Sequence, residues 1–480
     1  MTTPETYRSY KDLPPLAGLC TLAEAAKPGL SVAECVRRLK RFHYAFKRLH
    51  QILTARITSE PIYELKTAFA HHAYLCAEHA TALRTRIGEM REPPLGLEDV
   101  PHPALEAYFD EILAAPTRNL LVGTYSHATG ALYIAIERYE TDTHPLTDAP
   151  SRRLLKFAKI ELDEMRQCGM SAVSALGSPA DMREWFTTVL DRLWTSAGGF
   201  DGVAAQSPPV ATGGLAVELP RKYSIKPFVY DPIPQRDERF ADPWNQGVNA
   251  EAFLYDEAKP ATAKVLMMLY KRIREIDVPE MMASIIAQTP GKPWGYYRDM
   301  SRQVWDEARH AMMGEVGFVA LGVDWTKARV TWNWSYRLNT ECTPMERHGV
   351  LFFIEQGLMP KTGKRYEFEV ARDSGLPLAA TLQDFDWADE VLHSQIGRLW
   401  YVPEFGSLQK ALDFGDQAWS KVLSNWTTVR DRGLTQHENW WPEIYAQACA
   451  AAGHDPDPAI LAYAETYEGQ RADLQRVAAE

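Results

Sequence analysis

The sequence has 480 residues, of which 46% are hydrophobic and 24% charged, and a formal net charge of −11. These values are those of an ordinary globular protein with about three domains or fewer, larger ones. An acidic chain without a basic block argues against nucleic acid or an anionic membrane as a partner. No run approaches the ~18 apolar residues of a membrane span, the N-terminus lacks the apolar core of a signal peptide, and the six cysteines form no Cys-x-x-Cys pair. We therefore expect a cytoplasmic protein.

Helical patterns fill the first 195 residues. Apolar residues recur at helical spacing in residues 31–55, 61–91, 103–115, 118–140 and 151–176. The second pattern carries four residues of metal-binding types, His71, His72, Glu78 and His79. We interpret them as polar positions on a long packed helix rather than as ligands.

The last of these helices contains a weak echo of a metal motif. Residues 163–167 read Asp-Glu-x-x-Gln, and Glu137 precedes Glu164 by the same number of positions that separates Glu280 from Glu307. We infer that residues 1–195 hold a diverged copy of one helical unit. Because Gln coordinates transition metals poorly compared with imidazole, we expect this copy to have lost its metal and to serve a structural or dimerisation role.

Residues 196–255 are predicted to connect two parts of the chain. They are rich in glycine and proline, as in Gly198-Gly199, Pro208-Pro209 and Gly213-Gly214. A loop of this length inside a compact protein is either functional or an ordered crossover. Its aromatic residues favour a segment that packs against the rest of the protein.

Four helical patterns follow at 261–287, 294–321, 344–358 and 376–400. Two further helices are predicted at 408–432 and 441–452, with a polar helix at the C-terminus. They carry no recognisable site. The expected division is 1–195, 196–255, 256–405 and 406–480.

The second and fourth of these helices share one motif. Residues 306–314 and 389–397 both read Asp-Glu-x-x-His-x-x-x-Gly. A Glu and a His three positions later project from one face of a helix, so a carboxylate oxygen and an imidazole nitrogen can hold one metal ion. Two such pairs, each with a partner Glu on a neighbouring helix, are the ligand set of dinuclear sites in four-helix bundles.

The partner glutamates are chosen by their surroundings. On the first helix, Glu280 lies on an apolar stripe, where a carboxylate is costly unless it is paired or metal-bound. Glu275 falls on the basic, solvated face of the same helical wheel, so we prefer Glu280 and keep Glu275 as the alternative. On the third helix, Glu355 has apolar neighbours and is preferred over Glu346.

The predicted set contains six side chains, which we expect both to bind metal and to carry the catalysis. They are Glu280, Glu307 and His310 for one ion, and Glu355, Glu390 and His393 for the other. Oxygen-rich ligation with imidazole suits two iron ions, or a manganese–iron pair. Asp306 and Asp389 are expected to accept the free N–H of the histidine on the opposite helix. Gly314 and Gly397 leave room for a substrate or for close helix packing.

The duplicated motif with its partner glutamates resembles that of the ferritin-like di-iron proteins. These include ribonucleotide reductase small subunits, bacterial multicomponent monooxygenases and arylamine N-oxygenases. The resemblance covers residues 260–400 and extends only faintly to 60–170. It implies an all-α fold, in which a ferritin-like four-helix bundle holds the metals. This sequence departs from the family in having a second, degenerate helical bundle at its N-terminus. For many members the resemblance also implies O2 as co-substrate, so we expect an oxygenase or oxidase that hydroxylates, N-oxygenates or desaturates a small organic substrate.

Such an enzyme needs a pocket beside its metals. Its expected lining is Trp305, Met281, Met312, Met313, Trp387 and Phe385, although residues at helical spacing are more often core. The expected partners are a small-molecule substrate and an external electron donor, and a homodimer is left open. The competing hypotheses are ferritin-type iron binding or oxidation and a metal-stabilised structural protein without turnover.

Overall fold

The computed structural model describes residues 3–91, 96–204, 219–423 and 427–467. In these residues all regular structure is helical and no β-strand occurs, which confirms the predicted all-α fold. The chain divides into two compact units. The first consists of Met1–Leu53 and His72–Val229, and the second of Thr54–His71 and Tyr230–Glu480. The chain passes between the units after Leu53, after His71 and after Val229, so residues 54–71 of the predicted N-terminal domain belong to the second unit. Only the last passage lies inside the segment predicted as a connection, whose glycine and proline pairs at 208–214 lie outside the described residues.

The helices of the first unit follow from amphipathic repeats. They are α1 Leu22–Ala25, α2 Val32–Ile57, α3 Tyr63–Glu89, α4 Pro103–Ala114, α5 Thr117–Leu121, α6 Thr129–Asp142, α7 Ala149–Leu176, α8 Met182–Trp185 and α9 Asp191–Ser196. Both α2 and α3 contribute residues to each unit. Shorter turns are 3₁₀-helical at Tyr10–Asp12 and Leu16–Gly18, and π-helical at Val122–Ala128 and Phe186–Leu190. In α7 the buried residues recur about every three or four positions from Leu155 to Val173, as expected for a helix with one packed face.

The second unit contains the remaining helices. They are α10 Ala250–Tyr255, α11 Ala261–Arg274, α12 Asp277–Gln288, α13 Trp294–Ala320, α14 Asn333–Glu341, α15 Pro344–Gly357, α16 Lys364–Asp373, α17 Pro377–Trp400, α18 Leu408–Leu423, α19 Thr427–Asp431, α20 Trp441–Ala452 and α21 Pro458–Leu461. Short 3₁₀ turns occur at Trp325–Lys327 and Val402–Phe405. Thr343 and Glu346 form a capping box at the start of α15. Glu346, the alternative ligand, therefore has a structural role at a helix end.

Four helices of the second unit form a closed bundle. Helix α12 packs against α13, α13 against α17, α17 against α15, and α15 back against α12. Helix α11 also packs on α13, and α16 packs on both α17 and α11. A Cβ at Gly314 would collide with the backbone of Ile273 in α11, and one at Gly397 with the ring of Phe352 in α15. Close helix packing therefore explains both glycines.

The helix predicted at 261–287 is broken in two, with Glu275 and Ile276 between α11 and α12. The amide nitrogens of these two residues bond to carbonyl oxygens three residues earlier, at 3.0 and 3.3 Å. Such a turn is tighter than an α-helix and changes the angular position of every residue that follows it. A single helical wheel drawn through the segment therefore misplaces Glu275 and Glu280 relative to each other.

Candidate metal centre

Acidic and histidine side chains converge inside the bundle of the second unit. They form two groups, in each of which the ligand atoms all lie within 4.8 Å of one another. The His393 group consists of Glu307, Glu355, Glu390 and His393, and the His310 group of Glu275, His310, Asp386 and Glu390. The centroids of the two histidine rings are 5.8 Å apart. Because Glu390 belongs to both groups, they form one continuous cluster.

The His393 group is built by α13, α15 and α17. The Nδ1 atom of His393 lies 3.2 Å from Glu307 and 3.3 Å from Glu390. Glu355 is slightly farther from the same nitrogen, at 3.8 Å. All four residues are buried, with between 1% and 4% of their surface exposed. Carboxylate and imidazole donors at these separations can surround one metal ion.

The His310 group adds the junction between α11 and α12 to these helices. The Nδ1 atom of His310 lies 3.3 Å from Glu275 and 3.5 Å from Asp386. Glu390 approaches the same nitrogen to 4.0 Å. Asp386 was not predicted, although it precedes Glu390 by one helical turn and so shares its face of α17. That spacing is the signal by which the sequence could have revealed it.

Glu280 does not join the cluster. Its carboxylate accepts hydrogen bonds from Lys66 at 2.5 Å and from Arg236 at 3.0 and 3.1 Å, and Ser335 donates to it at 2.8 Å. These cations compensate the buried charge without a metal ion. The structure therefore replaces Glu280 with Glu275 among the residues that could hold a metal. The apolar stripe indicated a buried carboxylate correctly, but burial alone does not reveal the partner.

Several donor atoms of the cluster have no hydrogen-bond partner among the described residues. They are Nδ1 of His310, Nδ1 of His393 and one oxygen each of Glu275, Glu355 and Glu390. Both histidine nitrogens lie 3.2–3.3 Å from a carboxylate of the cluster but form no hydrogen bond with it. Buried polar atoms without hydrogen bonds are costly, and metal ions would satisfy these five together. An oxygen-rich set with two imidazoles fits iron or manganese. The residues present thus fit a metal centre.

Each histidine of the cluster is oriented by an aspartate on the facing helix. Nε2 of His310 lies 3.2 Å from Asp389, and Nε2 of His393 lies 3.4 Å from Asp306. When Nε2–H donates to the aspartate, Nδ1 is the nitrogen left to bind a metal. Arg309 donates to both aspartates, at 2.8 Å to Asp389. The cross-helix contacts follow the arrangement expected from the sequence, whereas Arg309 was not foreseen.

The protein alone holds protons at this cluster. Burial lowers the pKa of His310, but its carboxylate neighbours, Asp389 first, outweigh burial and raise that pKa to about 10. Acidic neighbours likewise raise the pKa of His393 well above its usual value, against the effect of burial. Burial and the charge of Glu390 raise the pKa of Glu355 well above the usual range. The cluster therefore takes up positive charge wherever a proton can supply it.

Two basic residues that the sequence analysis missed lie at the His310 group. Nζ of Lys364 lies 2.8 Å from Glu390 and 3.0 Å from both carboxylate oxygens of Asp386. Arg272 lies 2.7 Å from Glu275 and also contacts Asp386. No local pattern marks Lys364, because it begins α16, a helix outside the four that were predicted to carry the site.

A cavity of about 200 Å³ adjoins the cluster and is lined at one end by Glu307, Glu355 and Glu390. Its apolar wall includes Met281, Trp334, Leu338, Val350, Ile354 and Leu358. Of the six side chains predicted to line a pocket, Met281 alone does so, and Phe385 is 59% exposed. The wall comes mainly from α12, α14 and α15. The five predicted residues that do not line it lie on α13 and α17.

The echo motif of the first unit does not face an interior. Glu137 on α6 and both Glu164 and Gln167 on α7 are exposed. The packed face of α7 is the opposite, apolar one. Equal spacing in the sequence therefore does not correspond to an equal position in a bundle.

The histidines of α3 have partners of their own. His72 bonds to the hydroxyl of Tyr125 at 2.7 Å, and His79 lies 2.6 Å from Glu161. The ring of His71 stacks on Trp305 at a centroid distance of 4.3 Å. Each of the three histidines thus has a neighbour within α3's own surroundings, as the interpretation of packed polar positions predicts.

Comparison of the chain with models of protein families, with curated proteins and with solved structures finds no match. No helix in the described part of the chain is long and apolar enough to cross a membrane. Fold and site alone therefore describe the chain as an all-helical protein with a buried carboxylate–histidine cluster that could hold metal.

Proposed function

We propose that this chain is a non-haem di-iron oxidoreductase that uses O2 to oxidise a small organic substrate. One observation carries the proposal. Two histidine nitrogens and three carboxylate oxygens, all buried, have no hydrogen-bond partner among the described residues and belong to two overlapping ligand groups. Such a set needs positive charge in its midst, and metal ions supply it.

Two iron ions suit this donor set, and a manganese–iron pair would suit it as well. Glu275, His310 and Asp386 would hold one ion, Glu307, Glu355 and His393 the other, and Glu390 lies within reach of both. Bound iron would supply the electron transfer to O2 that no side chain of the cluster provides. An external electron donor would complete the reduction of O2.

The chain's own residues prepare the centre for this chemistry. Asp389 and Asp306 hold the Nε2 atoms of the two histidines, which fixes the rings and leaves Nδ1 to bind metal. The bundle excludes bulk water from the ligands, and this strengthens every electrostatic interaction among them.

The adjoining cavity supports a small organic substrate. Its wall beyond the cluster is largely apolar, and each basic residue that lines it is paired with an acidic one. These pairs are Arg274 with Glu251 at 2.6 Å, Lys271 with Glu367, Arg272 with Glu275 and Lys364 with Glu390. We therefore propose a neutral, mainly apolar substrate held by burial. Hydroxylation, N-oxygenation and desaturation are all compatible with such a pocket.

The cavity also separates this function from its two competitors. Ferritin-type iron oxidation needs no organic pocket beside the metals, and a structural metal needs none either. Iron bound far in excess of about two ions per chain would indicate storage. Loss of the fold on metal removal, with no O2 uptake by the iron-loaded protein, would indicate a structural metal.

The test is anaerobic loading of the full chain with Fe(II), followed by exposure to O2. We expect about two iron ions per chain and consumption of O2, measured by metal analysis and with an oxygen electrode. Glu307→Ala and His393→Ala should each bind less iron and take up no O2, because each removes a donor from the His393 group.

His348→Ala is the matched control for the histidine variant. His348 is a buried histidine of α15, 6% exposed, and belongs to neither ligand group. This variant should load iron and consume O2 as the wild type does. Should both ligand variants also load iron and consume O2 normally, the proposed centre is wrong.

A further inference from the structure

The two groups of the cluster are compensated differently. At the His310 group, Lys364 and Arg272 already neutralise carboxylates. At the His393 group, no lysine or arginine of the described residues forms an ion pair with Glu307 or Glu355. The polar partner that Glu355 does have is the neutral amide of Gln303, at 3.0 Å. Lysine and arginine thus pair with the carboxylates of the His310 group, whereas Glu307 and Glu355 of the His393 group have no such partner among the described residues.

The position of Lys364 matters more than its charge alone. Its Nζ contacts Oε1 of Glu390 at 2.8 Å and Oδ1 of Asp386 at 3.0 Å. The same two oxygens also lie close to Nδ1 of His310, at 4.0 and 3.5 Å. The ammonium therefore occupies the donor atoms that a metal ion beside His310 would need.

Lys364 is also held firmly in this position. Only 1% of the residue is exposed, and it starts α16, which packs on both α17 and α11. A buried ammonium and a divalent ion that share carboxylate oxygens repel each other with little screening. A metal ion can compete for these oxygens only if the lysine side chain moves.

We propose that Lys364 makes metal loading sequential. One divalent ion binds first in the His393 group, and a second ion binds in the His310 group only when the ammonium of Lys364 releases Glu390 and Asp386. This inference rests on the proposed di-metal function and specifies how that centre fills. At low metal concentration the protein carries a single ion.

The experiment is a titration of the metal-free full chain with Mn(II), in which electron paramagnetic resonance counts the free ion. In the wild type we expect two binding steps whose dissociation constants differ by more than about 100-fold. Lys364→Met should bring the two steps within about tenfold of each other, since it removes the competing charge. Lys364→Arg keeps the charge and should keep the wide separation.

Lys264→Met is the matched control. Lys264 is a buried lysine of α11, 5% exposed, whose Nζ bonds to the hydroxyl of Tyr366 at 3.0 Å rather than to a cluster carboxylate. This variant should retain the wild-type separation. Arg272 continues to pair with Asp386 in the Lys364 variants, and Lys364→Gln repeats the test if Lys364→Met loses its helical circular dichroism.

The outcomes separate this inference from the function on which it rests. Two equally tight steps in the wild type, unchanged in Lys364→Met, would overturn the inference and leave the di-metal centre standing. A single ion in Lys364→Met would also overturn it, because the second position would then not exist. A wild type that binds neither Mn(II) nor Fe(II) would instead overturn the proposed function itself.

Discussion

Two buried acidic clusters lie in the second unit, and each contains a glutamate that was predicted to bind metal. One is the Glu280 cluster, which consists of Glu280, Asp277, Lys66, Arg236 and Ser335, and the other is the His393 group. In each, a glutamate that the sequence places on an apolar helix face is almost fully buried, with Glu280 at 0% and Glu355 at 4% exposure. Sequence analysis accordingly assigned both glutamates to one metal site.

The clusters differ in what balances their negative charge. Burial alone would raise the pKa of Glu280, but Arg236 and Lys66 outweigh it and lower that pKa to about 2. In the His393 group, burial and Glu390 raise the pKa of Glu355 well above its usual range. The same residue type thus shifts in opposite directions. Glu280 already has cations of its own, whereas Glu307 and Glu355 have no lysine or arginine partner among the described residues and are suited to bind a cation from solution.

The largest effect on stability is expected from a substitution in the Glu280 cluster. Glu280→Gln removes a carboxylate that two buried cations need, so the free energy of unfolding should fall by roughly 3–5 kcal/mol. Chemical denaturation of the metal-free protein measures this loss. The number of metal ions bound by the folded variant should not change, because Glu280 contacts Lys66 and Arg236 and belongs to neither ligand group.

Glu275→Gln sharpens the same contrast. Glu275 lies 3.3 Å from Nδ1 of His310, so this variant should instead weaken the binding of the metal ion in the His310 group. If Glu280→Gln loses a metal ion while Glu275→Gln keeps both, Glu280 returns as the ligand and the assignment made from the structure fails.

Among the residues of the two ligand groups, Glu390 should have the largest effect on metal binding when it is replaced by Gln. Glu390 belongs to both ligand groups, so its loss should lower metal affinity by more than about 100-fold. That is more than the loss typical of a residue that only hydrogen-bonds to a ligand. Glu346→Gln is the control, because Gln can also serve in the capping box that Glu346 forms. Isothermal titration with Fe(II) under anaerobic conditions measures both. Equal affinities in the two variants would contradict the central position of Glu390.

These glutamates also show how far the sequence leads. Glu390 and His393 lie within one helical turn and share a ligand group, so a local pattern was sufficient to pair them. The same pattern wrongly paired Glu307 with His310, because Glu307 belongs to the His393 group across the bundle. The choice between Glu275 and Glu280 required knowing that the helix is interrupted at Glu275. It also required knowing that Lys66, more than two hundred positions earlier, reaches Glu280. Contacts between distant parts of the chain leave no trace in periodicity, and Lys364 was missed for the same reason.

A smaller loss is expected when only the orientation of a histidine changes. Asp389→Asn replaces the carboxylate that lies 3.2 Å from Nε2 of His310. Metal affinity should fall by roughly 10–100-fold, as is typical for partners of metal-bound histidines. Asp384→Asn, at an exposed position of the same helix, is the matched control and should bind metal normally. No loss in Asp389→Asn would mean that the aspartate does not orient the ring.

The smallest expected effect is the change with pH. Raising the pH should lower the stability of the metal-free protein but raise its affinity for metal. Carboxylate neighbours raise the pKa of His310 to about 10, so at neutral pH its ring is protonated when no metal is bound. Because this pKa exceeds the ordinary value of about 6.5, the charged ring contributes stability that is fully present below about pH 6.5 and is lost as the pH rises towards 10. A metal ion must displace that proton from Nδ1.

Metal affinity should therefore rise with pH, while the contribution of His310 to the stability of the metal-free protein falls. We expect about a tenfold gain in affinity per pH unit for each proton released between about pH 6.5 and 8.5. Titration calorimetry in buffers of different ionisation enthalpy counts these protons directly. Glu280 provides the contrast, because its pKa, lowered to about 2, keeps its carboxylate charged over this range, and its contribution to stability is lost only as the pH falls below about 4. A metal affinity that does not change from pH 6.5 to 8.5 would mean that the nitrogens of the histidines are already neutral. The carboxylates of the ligand groups would then not hold protons in the way that the contrast with Glu280 requires.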